Sequence, residues 1–280
     1  MQIVDAHIHF WDPAGLRYDW LTGLNAINRP FLPADLLAQT GPHSLAKIVF
    51  VQAGAHPDDA LAEVAWISEL AQNEPRISAI VADAPLEIGA AVADHLAALQ
   101  QYPLVRGVRR LIQAEGPGFA CAPDFIKAVQ LLPAYGFSFD ICIVHHQLGD
   151  ALQLVAACPD VDFVLDHFGK PAIKAGQLEP WASQMAELAS FPNVQVKLSG
   201  LITEADHAAW QPADLQPYID HVLACFGPAR LMYGGDWPVS LLAADSWANW
   251  VDTALAAVGG CSEAEKAAIF ADNASAFYRL

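Results

Sequence analysis

Eight short runs rich in β-branched and apolar residues recur along the chain, at 2–9, 47–52, 77–82, 105–112, 138–144, 161–167, 194–199 and 231–236. The intervals between them are too long for hairpin turns and leave room for a helix with its loops, as parallel strands require. Eight βα units suit a closed parallel barrel, which takes roughly 250 residues, and the chain has 280. No linker, low-complexity tract or repeat divides it, so the sequence predicts one α/β domain over 1–280, a (β/α)8 barrel of the TIM type. The first βα turn carries no glycine-rich phosphate fingerprint, which disfavours an open dinucleotide-binding sheet.

Helix signals fill the intervals. After Pro57, Asp58 is placed to cap a helix whose face carries Ala60, Val64, Ile67 and Ala71 and which ends near Pro75. A second runs from Asp124 towards Gly136, a glycine stop, and a third from Leu148 to Ala157 before Pro159. From Phe10 to Pro33 prolines, glycines and aromatics follow no period, and a long loop is expected after the first strand.

Composition narrows the function classes. With 54% hydrophobic and 16% charged residues the chain must bury a core, which excludes disorder and coiled coil. A formal charge of -17 repels nucleic-acid backbones and anionic membrane surfaces, so neither is expected as a partner. Five scattered cysteines without a C-x-x-C suggest neither a disulfide framework nor a thiolate zinc site, and read as buried thiols in a reducing compartment. The start, Met1 to His7, lacks the basic and apolar regions of a signal peptide, and no run of about 18 apolar residues follows; a cytoplasmic location is the expectation.

The polar residues of three runs carry the chemistry. Strict alternation puts Asp5, His7 and His9 on one side of the first strand, with two imidazoles near its carboxyl end, where barrel sites are built. Asp5, deeper, reads as a structural hydrogen-bond partner. His167 ends the sixth run before Phe168-Gly169-Lys170-Pro171, and Asp236 ends the eighth after Gly234-Gly235. Closure sets the eighth strand beside the first, bringing Asp236 to His7 and His9. Three imidazoles and a carboxylate can hold a divalent ion, or, without one, polarise a carbonyl and deprotonate water; both uses are hydrolytic. Arg109 reads as an inward cation steadying a substrate carbonyl or carboxylate, and Trp11, Tyr18 and Trp20 as a hydrophobic lid or a ring platform for a sugar. Lys197 and Ser199 share a face of the seventh strand, where a structural role outweighs a site role.

With these residues in place, the sequence resembles the amidohydrolase superfamily, and more closely its lactonase branch, over almost the whole chain. The resemblance is carried by Asp5-Ala6-His7-Ile8-His9-Phe10-Trp11-Asp12-Pro13, Arg106-Gly107-Val108-Arg109, Asp166-His167-Phe168-Gly169-Lys170-Pro171, Lys197-Leu198-Ser199-Gly200-Leu201 and Tyr233-Gly234-Gly235-Asp236-Trp237-Pro238-Val239. It implies a carboxylic ester hydrolase of carbohydrate metabolism that opens a sugar lactone such as L-fuconolactone or L-rhamnonolactone. Asp236 would be the base, His7, His9 and His167 would stabilise the oxyanion, and Arg109, Trp11, Trp20 and His145 or His146 would meet the substrate. The fourth strand offers arginines where binuclear members carry a bridging lysine, so the resemblance implies at most one zinc, on His7, His9, His167 and Asp236, and no requirement for it. The partner implied is a small-molecule lactone, with homo-oligomer formation left open. The competing reading from the same superfamily is an aromatic-acid decarboxylase that depends on its metal.

Overall fold

The computed structural model describes residues 1–280. Its single sheet contains eight parallel strands in sequence order: β1 (Gln2–Ile8), β2 (Ser44–Val51), β3 (Ile77–Ala82), β4 (Val105–Val108), β5 (Ser138–Ile141), β6 (Phe163–Leu165), β7 (Val194–Leu198) and β8 (Leu231–Tyr233). Each coincides with one of the eight runs read from the sequence. The seam between β8 and β1 closes just past the end of β8: the Asp236 N–H donates to the His7 carbonyl at 2.8 Å, and the His9 N–H to the Trp237 carbonyl at 2.8 Å. The result is the expected α/β barrel.

Two apolar clusters show how the sheet is buried on both faces. The lumen holds small and branched side chains, Val4, Ala6, Val49, Val51, Ala79, Val81, Val164 and Met232, plugged by Ala274 and Tyr278 from the last helix, Asn273–Tyr278. The larger cluster, with Ile8, Phe50, Ile80, Phe139 and Leu198, lies between the strands and the surrounding helices. Among those helices, Leu148–Ala157 has the predicted limits, and Gly136 terminates Leu132–Tyr135 in the left-handed conformation at φ 76°. The helix Ala60–Asn73 starts later than expected, after a 3-10 turn over Pro57–Asp59. Its predicted cap, Asp58, has no such role: the His56 ring nitrogen accepts the Asp58 N–H, and Asp59 pairs with Arg17 at 2.8 Å. No helix is long and apolar enough to cross a membrane, and the five cysteines are free.

Strict alternation fails in β1, with consequences for the site. The β1–β2 register shifts between Asp5 and Ile8. Ala6 packs in the lumen while Ile8 joins the outer cluster, and the irregularity lets His7 turn inward as well. Asp5 therefore does not share a face with His7 and His9. Its carboxylate points towards the outer layer, where it accepts the Trp247 indole N–H at 2.7 Å and the N–H groups of Gly235 and His7 at 2.8 and 2.9 Å. The structural role expected for Asp5 holds, on the opposite side of the sheet.

Candidate active site

The strands of the second half of the barrel end sooner than the sequence suggested, and their ends aim the key side chains. In β6 Phe163 and Leu165 face outward and Val164 faces inward, so alternation would place Asp166 inside and His167 outside. His167 and Phe168 instead take left-handed backbone conformations, both at φ 53°, and the imidazole turns back over the lumen. Asp236 does the same at φ 50° beyond β8. Non-glycine residues in this region cost of order 1–3 kcal/mol and cluster at functional sites. Neighbouring glycines make room: a Cβ on Gly200 would overlap the His167 ring, and one on Gly235 would lie 2.5 Å from the Asp5 carboxylate.

His7, His9, His167 and Asp236 thus meet at the carboxyl end of the barrel, all buried. Asp236 Oδ1 lies 3.8 Å from His7 Nε2, 3.5 Å from His9 Nε2 and 3.8 Å from His167 Nε2. His9 Nδ1 donates to the Val51 carbonyl at 2.7 Å, which leaves its Nε2 lone pair facing the site. His167 Nδ1 and Ser199 Oγ are 2.8 Å apart, so Ser199 orients that ring.

Beneath them lies a layer of buried charge. Lys197 pairs with Asp140 at 2.5 Å and Asp166 at 3.0 Å, and Arg109 donates to Asp166 at 3.0 Å and to the Gln52 carbonyl at 2.6 Å. The Tyr278 hydroxyl closes the layer from below on Asp140 at 2.8 Å. Two cations face two carboxylates here, so the layer is balanced and Asp236 is the anion left over at the cavity floor. Burial alone would raise its pKa, but the imidazoles around it hold it below the usual carboxylate range. Burial pushes His167 down to about 4 and lowers His7 and His9 as well. At neutral pH the site is an ionised carboxylate among three neutral imidazoles. For Asp166 burial is likewise outweighed, by Lys197 first and then His7 and Arg109, whereas burial lifts Asp140 to about 6.

Above lies a cavity of about 440 Å³ lined by His9, His167, Asp236 and Arg109, and also by Trp20, His56, Gln113, Cys142, Lys170 and Thr203. Its volume is in the range of small-molecule sites. Trp20 is 37% exposed and its indole N–H donates to the Ala53 carbonyl at 2.8 Å, fixing the ring on the cavity wall. Trp11, by contrast, does not line the cavity. It is fully buried and spends its indole N–H on the Ile27 and Arg29 carbonyls, so it holds the first loop together. His145 and His146 also lie off the cavity: His145 Nδ1 binds the Lys170 carbonyl at 3.1 Å and His146 is exposed. The cavity position near the end of β5 falls to Cys142, because the chain turns into a 3-10 segment, His145–Gln147, before either imidazole can point inward.

Sequence reasoning passed over Asp140 and Asp166 and underweighted Lys197 and Ser199. Lone charged residues inside apolar runs, such as Asp140 in Phe139–Ile141, were the available signal, since such a group survives burial only when paired.

The donor set fits a single divalent ion. The Nε2 atoms of His7 and His9 are 3.2 Å apart, a separation that two ligands of one zinc at about 2.0–2.1 Å each can span, and Asp236 joins them in one cluster of candidate ligands, with His167 Nε2 3.8 Å from the Asp236 carboxylate. The residue that reaches the site just past β4 is Arg109, so the end of that strand offers no bridging ligand for a second ion.

Known proteins resemble this chain in sequence and fold. An L-fucono-1,5-lactonase of Burkholderia multivorans is 35% identical to this chain, covering 99% of this chain and 96% of its own length. A second L-fucono-1,5-lactonase, of Burkholderia ambifaria, is 32% identical over 99% and 95%. A crystal structure of an amidohydrolase from Burkholderia multivorans with bound zinc superposes over the whole of both chains with a TM-score of 0.89 at 34% identity. The amidohydrolase family model matches residues 4–280, and with the barrel and its histidine–aspartate rim in place, this chain belongs to the amidohydrolase family.

Proposed function

We propose that the protein is a lactonase that opens the ring of an uncharged sugar lactone, of the L-fuconolactone or L-rhamnonolactone kind. The observation that carries the reading is the Asp236 carboxylate set within 3.5–3.8 Å of three imidazoles at the floor of a small-molecule cavity. It is supported by the two relatives named for L-fucono-1,5-lactone at 35% and 32% identity. Asp236 Oδ1 takes a proton from a water, and the resulting hydroxide attacks the lactone carbonyl. N–H donors of the imidazole cluster and Arg109 meet the oxygen on which negative charge develops. When the tetrahedral intermediate collapses, the ring C–O bond breaks, and the carboxyl proton on Asp236 passes to the leaving alkoxide. One carboxylate thus serves as base and then as acid, and the product is a hydroxy acid.

Cavity charge favours a neutral substrate. The charge of Arg109 is matched by Asp166, and Lys170 donates to Gln113 at 2.6 Å with Glu204 at 3.9 Å, so the cavity holds no excess of positive charge for a substrate carboxylate. A zinc ion held by His7, His9, His167 and Asp236 would add Lewis acidity towards the carbonyl. The steps above need only the residues of this chain. A screen of aldonolactones with a pH indicator, run with and without a strong chelator, tests the reading. Acid release that survives chelation supports it. Carbon dioxide release from a hydroxybenzoate, abolished by chelation and without lactone opening, overturns it in favour of a decarboxylase.

A further inference from the structure

The cavity wall carries hydrogen-bonding groups that the ring-opening steps leave unused. Lys170 and Thr203 reach it from the segments after β6 and β7, on the far side of the barrel from β2. On the β2 side, Trp20, Gly54 and Leu111 form an apolar patch, in which a Cβ on Gly54 would lie 3.1 Å from the Trp20 indole and 3.6 Å from Leu111. A ligand in between meets an apolar surface on one side and a polar one on the other.

Each of the two polar groups has a fixed sense. Thr203 Oγ1 donates to the Gly200 carbonyl at 2.7 Å, which spends its only proton and leaves lone pairs that can only accept from a ligand. The Lys170 ammonium can only donate. One N–H goes to Gln113 Oε1 at 2.6 Å, and Glu204, at 3.9 Å, is too far for a hydrogen bond, so the remaining N–H groups have no protein partner. Glu204 follows Thr203 directly in the chain, and its approach to Lys170 sets the donor and the acceptor on one stretch of wall.

The backbone aims Lys170 as it aims His167. Lys170 sits at φ 51°, costly for a residue with a Cβ, at the end of the left-handed run that begins at His167. His145 Nδ1 donates to its carbonyl at 3.1 Å and holds that conformation from behind. The turn that swings the His167 ring over the lumen thus also delivers Lys170 to the cavity.

We propose that Lys170 and Thr203 are specificity-determining residues that together read one ring hydroxyl of the substrate, with Lys170 donating to its oxygen and Thr203 accepting its proton. An apolar edge of the same ring lies against Trp20 and Leu111. The inference rests on the lactonase reading for the identity of the ring. A hydroxyl satisfies both partners at once. An ether or carbonyl oxygen has no proton for Thr203, and a carboxylate would set its lone pairs against those of Thr203 and Glu204.

Calorimetric titration of the full-length protein with L-fuconolactam tests the pair, since a ring N–H in place of the ring oxygen resists opening. Analogues of this lactam that each lack one hydroxyl complete the series. One of them should bind the wild type about tenfold or more weakly than the parent. Thr203→Val should lose about tenfold in affinity for the parent and Lys170→Met about tenfold to a hundredfold, the usual weights of a neutral and a charge-assisted hydrogen bond. Neither variant should discriminate against the weak analogue any longer. Thr203→Ser restores the hydroxyl and should recover the affinity that valine loses, which separates this role from a packing role and stands in if the valine variant does not fold. Parent affinity unchanged in both variants, full discrimination retained in them, or a folded wild type that does not bind the lactam overturns the proposal. Lactam binding that depends on Lys170 and Thr203 in a protein that opens no lactone sinks the functional reading and spares this one. Lactone opening indifferent to both substitutions does the reverse.

Discussion

Asp236 donates its backbone N–H to the carbonyl oxygen of His7 at 2.8 Å, although the two lie at opposite ends of the chain. This bond belongs to the seam that closes the barrel, so the sheet itself sets the carboxylate beside the imidazoles. Scaffold and chemistry can therefore be separated by substitution. Asp236→Asn keeps the backbone bond and the side-chain shape and removes the base. Its melting temperature should stay within a few degrees of the wild type, while kcat falls by about 10²–10⁴-fold, the usual worth of general base catalysis. Stopped turnover in a folded protein is the expected observation, and turnover near the wild-type rate would reject the role given to Asp236.

Gly200 is left-handed at φ 60° and lies against the His167 ring, which Ser199 holds at 2.8 Å. Gly200→Ala imposes a left-handed cost of about 1–2 kcal/mol and pushes its Cβ into the imidazole. Both stability and kcat should drop together in thermal melts and turnover assays. Loss of stability with an unchanged kcat would mean that the orientation of His167 is irrelevant to the reaction.

The architecture was legible because eight apolar runs with helix-length intervals admit few folds, and the rim residues because His7, His9, His167 and Asp236 all fall at strand ends. Less legible was which way each side chain points. Period-two alternation assumes a regular strand, whereas the register shift in β1 sends Asp5 outward and the left-handed turn at His167 brings an outward position back inside. Both departures occur within a residue or two of the site, where local preference yields to the barrel's demand for convergence. The buried layer of Asp140, Asp166, Lys197 and Arg109 spans four strands, and its pairing is a property of closure that no local window contains.

Arg109 bridges two elements at once, donating through one nitrogen to Asp166 and through another to the Gln52 carbonyl. A lysine at this position offers a single ammonium group and cannot reproduce that fork. Arg109→Lys should therefore lower kcat/KM by about tenfold or more, corresponding to one charge-assisted hydrogen bond of about 1.5–3 kcal/mol. Steady-state kinetics on the best lactone of the screen is the check. Wild-type kinetics would show that a positive charge alone suffices there.

Glu63 supports the cavity wall from behind and gives a pH prediction separate from the chemistry. Its carboxylate, on the helix Ala60–Asn73, is buried and accepts the N–H of Ala53, a cavity-lining residue, at 3.1 Å. Burial is the main cause that raises its pKa to about 8, with Asp83 adding to the rise and the Ala53 N–H opposing it. Between its ordinary value of 4.5 and about 8, the folded protein holds a proton that the unfolded chain releases. This group's contribution to stability is therefore complete below pH 4.5, shrinks as pH rises, and is lost once pH passes about 8. Glu63→Gln keeps an oxygen for the Ala53 N–H and has nothing to ionise. Urea midpoints measured at two pH values inside this window should fall more steeply for the wild type than for the variant, by of order 1 kcal/mol per pH unit. Parallel pH dependence in the two proteins would show that Glu63 is already ionised in the native state.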